Sequence, residues 1–309
     1  MKPDPVCRGD GRRGVPAALA LLAALAVLAG CKPVEPPVEE TLPRATLVER
    51  YNARAETIKS LWSRCHVEAR VPKFDRQGRP IKGRYEAWPA DGNFILRKPR
   101  DLFLEGRFFS DPVFGLHSNS EMYWFWVKPE ASVEYHGRHD GPGAKRFPLR
   151  PDYLLDTLGV FPVTTDLSAF RRGDQYDVIQ VMDVDVARPA PNKHPEQVAV
   201  RLSVRQEIFL ERVHHDPMEV RLYDGEGEVL VVSRLEDYRE VEGVRVPTRL
   251  VYRFVPADAT FTLTLKDISL SKPLKDAAFA RRPAPVAHTR DLDAEAESGL
   301  PAPPAAGLK

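Results

Sequence analysis

Two places along the chain gather side chains of the kind that hold metals or move protons. His136, His139 and Asp140 fall within five residues, and His214, His215 and Asp216 are consecutive. Two imidazoles and a carboxylate suffice to hold zinc or non-haem iron with an open coordination position. The first set lies at a glycine-flanked turn, and the second where a strand ends before Pro217. Neighbouring strand residues point to opposite faces, so His214 and His215 do not readily share one ion. Asp183 and Asp185 lie on one strand face, but no partner acid accompanies them, and a pair of solvated edge carboxylates fits the pattern. The Arg172-Gly173-Asp174 triplet reads as a turn before a strand. No Gly-x-Ser-x-Gly elbow, phosphate-binding glycine loop or Cys-x-x-Cys motif occurs. The expectation is a protein without catalytic residues, resident metal or cofactor. A hydrolase or metal enzyme is the competing reading, and the two histidine groups alone would carry it.

Cys31 raises a different chemistry. Residues 1–13 carry Lys2, Arg8, Arg12 and Arg13 against Asp4 and Asp10, and residues 15–30, VPAALALLAALAVLAG, hold no charge. That apolar run is shorter than the roughly 20 residues a helix needs to span a bilayer core. A positive start, a short apolar core and small residues before a cut site describe a secretory signal. Leu28, Ala29, Gly30 and Cys31 resemble the lipobox of bacterial lipoproteins. In that motif the cysteine thiol is joined to diacylglycerol, a further palmitate-type chain can be added, and cleavage makes the cysteine the new N-terminus. The resemblance implies a bacterial cell envelope and a membrane partner reached through acyl chains, two or more of which hold far more firmly than one. Lys32, rather than aspartate, follows the cysteine, which points to the outer membrane, facing the periplasm. A plain signal peptide with an incidental cysteine is the alternative.

Cleavage before Cys31 leaves residues 31–309 and moves the formal net charge from +1 to −1. Neither sign dominates and no long block of like charge occurs, so nucleic acid is excluded as the main partner. With Cys7 removed and Cys31 acylated, Cys65 is alone and no intramolecular disulfide forms. Cys65 precedes the alternating HVEARV and reads as a small core-facing hydrophobe.

The elements follow from periodicity. Residues 32–45 are proline-rich and charged, a semi-extended tether. From Thr46, which with Glu49 fits a capping box, Leu47, Tyr51, Ala55, Ile58 and Trp62 recur at helical spacing. After Trp62 the period becomes two, and short alternating runs separated by Gly, Pro, Asp and Asn read as an antiparallel meander. RPDYLLDTLG at 150–159 breaks that rhythm, with Pro151 suited to a first helical turn and Gly159 to a stop. Leu154, Leu155 and Leu158 make it a covering helix. DGEGEV at 224–229 is a hairpin turn. From Pro283 to the end the chain is proline, alanine and charge, and is expected to be a disordered tail. No Pro/Gly-rich linker interrupts residues 46–282, so a single domain is expected there.

Several stretches together resemble the LolA/LolB-type lipoprotein-localisation carriers. They are YNARAETIKSLWSR before the first strand, NFILRKPRDLFLEG as a strand, Lys-Pro turn and strand, and SNSEMYWFWVKPEASVEYHG as a tryptophan hairpin. LEDYREVEGVRVPTRLVYRF and KPLKDAAF match the closing part. The resemblance implies a mainly β (α+β) fold: an incomplete, curved antiparallel β-barrel covered by an N-terminal and a mid-chain helix, with a cavity for lipid chains. The receptor member carries a protruding apolar loop between early strands. The corresponding turn here, RKPR at 97–100, is short and basic.

Residue patterning asks for something compatible. In EMYWFWVK both faces are apolar, so this strand is expected to be covered on both sides. An inner surface of Phe94, Leu96, Leu102, Leu104, Phe108, Leu116, Trp124 and Trp126 would suit an acyl chain from a lipid or lipoprotein. The same residues would equally make a packed core under the helices, and the two cases share one pattern. The functional expectations are accordingly two. One is a lipid-anchored binder of an apolar ligand in a half-barrel cavity, in lipoprotein or lipid trafficking. The other is a structural lipoprotein whose filled core scaffolds envelope proteins.

Overall fold

The computed structural model describes residues 42–74, 80–128, 133–145, 150–173, 175–187 and 199–299. The chain divides into two compact units, Met1–Glu39 and Glu40–Lys309, and every described residue belongs to the second. The signal segment, Leu28, Ala29, Gly30, Cys31 and the tether to residue 41 lie outside the described residues.

The protein is mainly β. Among the described residues, fourteen strands form one open, curved sheet in the order β14-β6-β5-β4-β3-β2-β1-β13-β12-β11-β10-β9-β8-β7. The first meander comprises β1 (Ser60–Phe74), β2 (Pro80–Arg97), β3 (Asp101–Phe108), β4 (Asp111–Ser118), β5 (Met122–Val127) and β6 (Val133–Arg138). The second comprises β7 (Ser168–Arg172), β8 (Tyr176–Ala187), β9 (Ala199–Glu211), β10 (Pro217–Tyr223), β11 (Val229–Val241), β12 (Val244–Phe254) and β13 (Ala259–Ser269). The return strand β13 pairs with β1, so the two meanders share one ladder. Register shifts at Trp62/Arg64, Gly106/Arg107 and Val181/Met182 insert bulges, which bend strands and strengthen their twist.

Helix α1 (Arg44–Thr57) opens the domain. It begins two residues before the expected start, on the Pro43 carbonyl, which accepts from Leu47 N at 3.0 Å, and no side chain caps it. The Thr46–Glu49 capping box is therefore not formed. Leu47, Tyr51, Ala55 and Ile58 are buried as the periodicity requires. Trp62 is not part of that stripe: it lies on β1, where Leu61, Ser63, Cys65, Val67 and Ala69 alternate inward. Helix α2 (Pro151–Asp156) starts with proline at its N-terminal turn, buries Leu154 and Leu155, and packs against β3, β4 and β5. The helix ends at Asp156 with Thr157 as its C-cap, and Gly159 follows with a φ of +65°, in the left-handed region. At 224–228, Asp224 Oδ1 accepts from the backbone N–H of Glu226 and Glu228, closing the expected hairpin.

The C-terminal expectation needs correction. Residues 288–297, assigned by composition to a disordered tail, form β14 (His288–Asp291), parallel to β6, and helix α3 (Leu292–Glu297). Leu292 is buried, Asp291 caps α3, and Asp293 accepts from the backbone N–H of Arg138 and Gly143. Backbone pairing and carboxylate caps order this segment, and neither leaves a hydrophobic period to read.

Candidate functional site

The strands β2–β5 position the residues that sequence patterning singles out, and their register decides which of them meet. Phe94 pairs with Leu104, Leu104 with Leu116, and Leu116 with Phe125, so these four share the inner face. The adjacent row is Ile95, Phe103, His117 and Trp124, on the outer face. Phe94, Leu96, Leu102, Leu104 and Leu116 are thus brought together, each 3% exposed or less. They lie in one core cluster with Leu47, Tyr51, Ala55 and Ile58 of α1 and Leu154 and Leu155 of α2. The protein's own side chains occupy that face.

Trp124 and Trp126 are not on it. Leu116 faces Phe125, which sends Tyr123, Phe125 and Val127 inward and both tryptophans outward. Both tryptophans are nevertheless only 3% exposed, because the segment after β13 returns across them. Between that strap and the sheet lies a cavity of about 390 Å³ with Phe103, Glu105, His117 and the two tryptophans on the sheet side. The strap contributes Ala278, Ala280, Arg282, Pro283, Ala284 and Pro285. His117 stacks on Trp124 with ring centroids 5.3 Å apart and meets Phe103 edge-on at 4.9 Å. Burial pushes the His117 imidazole down to about 3, so it is neutral at physiological pH. Gly115 is required here: a Cβ would fall 2.3 Å from Trp126 Nε1. The strap is held by buried Phe279, over whose ring the Arg97 guanidinium lies at 4.7 Å, and by an ion pair between Arg281 and buried Glu134.

Phe108 departs from the expected inner surface in another way. The bulge at Gly106/Arg107 breaks the alternation of β3, and Phe108 ends 53% exposed at the β3–β4 turn. Phe109 beside it is 92% exposed with φ +55°, an uncommon conformation for an aromatic residue. The two rings meet edge-on at 4.8 Å. Behind this tip a groove of about 330 Å³ is lined by Ala87, Trp88, Pro89, Ala90, Phe108, Val113 and Phe114, all apolar. An apolar tip therefore exists between early strands, one turn later than the basic RKPR turn.

The histidine groups separate. His136 lies on the outer face opposite Trp124; burial first, then Arg281, lowers its pKa. His139 sits beyond the end of β6, with Nε2 2.9 Å from Asn119 O and 3.3 Å from Ser118 Oγ. Asp140 pairs instead with Arg138 at 3.0 Å. Ser118, His139 and Asp152 superficially order themselves as a serine-protease triad, but Ser118 is fully buried. The His139 Nδ1 to Asp152 Oδ2 distance is 3.8 Å, and the base nitrogen already faces a carbonyl. These groups tie the β4–β5 turn to α2. Burial raises the Asp152 pKa, but His139 and the Arg150 guanidinium outweigh it and hold the carboxyl down to about 2. His214 is exposed, while His215 and Asp216 are buried, the latter 2.6 Å from Arg245. Asp183 is exposed; the Asp185 side chain and Asp174 lie outside the described residues. Among the described residues no group of three or more His, Cys, Asp or Glu is placed to hold a metal. No helix among them is long and apolar enough to cross a membrane.

No family model matches the chain, and no curated protein does. Solved structures that it is similar to include a LolA superfamily protein from Nitrosomonas europaea, 13% identical with a TM-score of 0.47, over 78% of this chain and 99% of that one. A DUF1329 family protein from Desulfovibrio piger is 12% identical with a TM-score of 0.44, over 78% and 98%. A domain described as that of an outer membrane lipoprotein-sorting protein, from Vibrio parahaemolyticus, is 12% identical with a TM-score of 0.44, over 76% and 94%. Likeness at this level fixes neither family nor function, and the reading of the sites rests on their residues.

Proposed function

We propose that this protein is a non-catalytic envelope lipoprotein, held at the outer membrane through acylated Cys31, that takes an acyl chain in the groove behind the Phe108–Phe109 tip. One observation carries the reading: an open groove with only apolar walls, flanked by a phenylalanine held almost wholly in solvent. Exposed contiguous apolar surface of this kind is uncommon on soluble proteins unless something covers it. The ligand site thereby moves from the inner face, which is filled, to the β2–β4 tip. About ten methylenes in contact, at about 0.8 kcal/mol each, set a ceiling of about 8 kcal/mol, or a Kd near 1 μM, before the costs of association. Binding in the range of tens of micromolar is expected.

The filled inner face favours a second reading, a scaffold for envelope proteins that carries no ligand. Titrating palmitate into the soluble chain beginning at Lys32, with native mass spectrometry and tryptophan emission as readouts, separates them. The acyl reading expects one saturable ligand, a blue shift lost in Trp88→Phe, and binding abolished by Phe108→Ser with Phe109→Ser. A chain that stays ligand-free and spectroscopically silent, with both variants folded, overturns it.

A further inference from the structure

At the far end of α1 the chain builds a recess of about 560 Å³ whose charged walls have one sign. Lys59, Arg97, Lys98 and Lys272 line it together with Ser60 and Ser271, and among the described lining residues there is no carboxylate. The recess along β11–β13 makes the contrast: there Arg64, Arg239 and Lys266 are matched by Asp237, Glu240 and Asp267. Three chain segments converge to make the basic recess, namely the α1–β1 link, the β2–β3 turn and the exit from β13. One main-chain and one side-chain hydrogen bond fix their approach. Lys98 N–H donates to Lys59 O at 3.0 Å, and Ser60 Oγ donates to Leu270 O at 3.2 Å.

The four cations are not equivalent. Arg97 is committed, donating through Nε to Asp101 at 2.7 Å and through Nη1 to Asp276 at 2.6 Å. Among the described residues, none of Lys59, Lys98 and Lys272 has a carboxylate within ion-pair distance. The Lys98 ammonium donates to Ala55 O at 2.5 Å and lies 5.3 Å from the Phe161 ring. That of Lys272 sits 3.1 Å over the Trp62 ring. Lys59 is exposed. Glu242, near the exit from β13, is already occupied in accepting from Ser269 Oγ at 3.0 Å, from Leu270 N–H at 3.1 Å and from Ser271. Burial pushes the Lys98 ammonium down to about 8, against the pull of Glu56, which marks a cation whose desolvation is not compensated.

Three lysines without a carboxylate partner line one recess, a local excess of positive charge that matches an anion presenting several oxygens at once. Lysines act on phosphate as mobile point charges and need no planar fork. A simple carboxylate has only two oxygens to share, and the recess is larger than a bare phosphate needs. We propose that this recess is a phosphate-ester site in which Lys59, Lys98 and Lys272 take the phosphate oxygens and Ser60 and Ser271 flank them. It is separate from the apolar tip groove and does not depend on what that groove holds.

The phosphate can come from a soluble ester or from a lipid headgroup. The full chain in non-ionic detergent is titrated calorimetrically with inorganic phosphate and, separately, with glycerophosphoglycerol, the deacylated headgroup of phosphatidylglycerol. Sodium chloride of matched ionic strength is the reference. Saturable binding of either probe supports the site. Tighter binding of glycerophosphoglycerol assigns it to a headgroup, and equal or tighter binding of phosphate to a soluble ester. The double variant Lys59→Gln with Lys272→Gln, both exposed, is expected to weaken binding at least about tenfold with thermal unfolding unchanged. Lys98→Met is expected to do the same, but it also touches the end of α1, so the exposed pair carries the test. Failure of both probes to bind beyond the chloride reference, or undiminished binding in the folded double variant, overturns the proposal.

Discussion

The two faces of β2–β5 both carry large apolar side chains, the outer one mixed with Asn93, Glu105, Arg107 and His117, and they have very different covers. On the inner face α1 and α2 press Leu47, Tyr51, Leu154 and Leu155 into a row of leucines and phenylalanines, and no member exceeds 3% exposure. On the outer face the strap covers Phe103, His117, Trp124 and Trp126 with alanine, proline and Arg282, and a cavity of about 390 Å³ remains. The difference lies in the side chains of the cover. A helix presents a 3.6-period stripe that interdigitates with a pleated sheet, and packing then approaches crystal density. Apart from Arg282, the strap's lining side chains are too short to insert between the rings, so the aromatic row keeps open space on one side. Hydrophobic surface can therefore be covered without being packed.

Truncating a side chain on the packed face has the largest expected effect. Leu104→Ala leaves a hole in a fully buried row and is expected to cost about 2–5 kcal/mol in the denaturant unfolding midpoint. A loss below about 1 kcal/mol would mean that the inner face yields as readily as the outer one. Next comes release of the strap. Arg281→Gln removes the partner of buried Glu134 and is expected to open the strap locally, at about 1–2 kcal/mol, since Arg281 is itself one-third exposed. With Trp62 and Trp88 replaced by phenylalanine, acrylamide should quench Trp124 and Trp126 more strongly in this variant. Unchanged quenching would show the outer cover to be as firm as the inner.

The smallest effect is at the end of the inner cover, where the Lys98 ammonium donates to the last turn of α1. Its folded pKa, lowered from 10.5 to about 8 chiefly by burial, means that the unfolded chain binds more protons between those values. Stability therefore rises as pH increases from about 8 to about 10.5. The buried Tyr51 and Tyr252 have raised pKa values and act oppositely above pH 10, so the difference between the wild type and Lys98→Met isolates the lysine. A difference curve flat across that window removes it from the account.

The division between what sequence conveys and what it withholds follows the same physics. Alternation from Leu61 onward, the stripe of Leu47, Tyr51, Ala55 and Ile58, and Pro151 before the leucines of α2 were enough to read an antiparallel meander with two helices, while its curvature was implied only by the resemblance to the LolA/LolB-type carriers. That Trp124 and Trp126 need cover on both sides of their strand was legible too. Which face they take was not, because it turns on whether Leu116 meets Phe125 or a tryptophan, and the Asn119–Glu121 turn sets that register. Phe108 was misplaced for a related reason, since a bulge has no compositional mark. The basic recess was invisible because Lys59, Lys98 and Lys272 are far apart in sequence. The nearest signal was RKPR, read only as a turn.

The parallel addition of β14 to β6 has a consequence for the company this protein keeps. A sheet of this breadth ends in two rows of unspent backbone donors and acceptors, and such rows recruit strands from other molecules. One margin is the four-residue β14, which runs directly into α3 at Leu292. The other is the five-residue β7, ending in Arg171 and Arg172, which pair with Glu207 and Asp177 at 3.6 Å. Both margins are short, of four and five residues, and a short edge offers few backbone groups for a foreign strand to pair with.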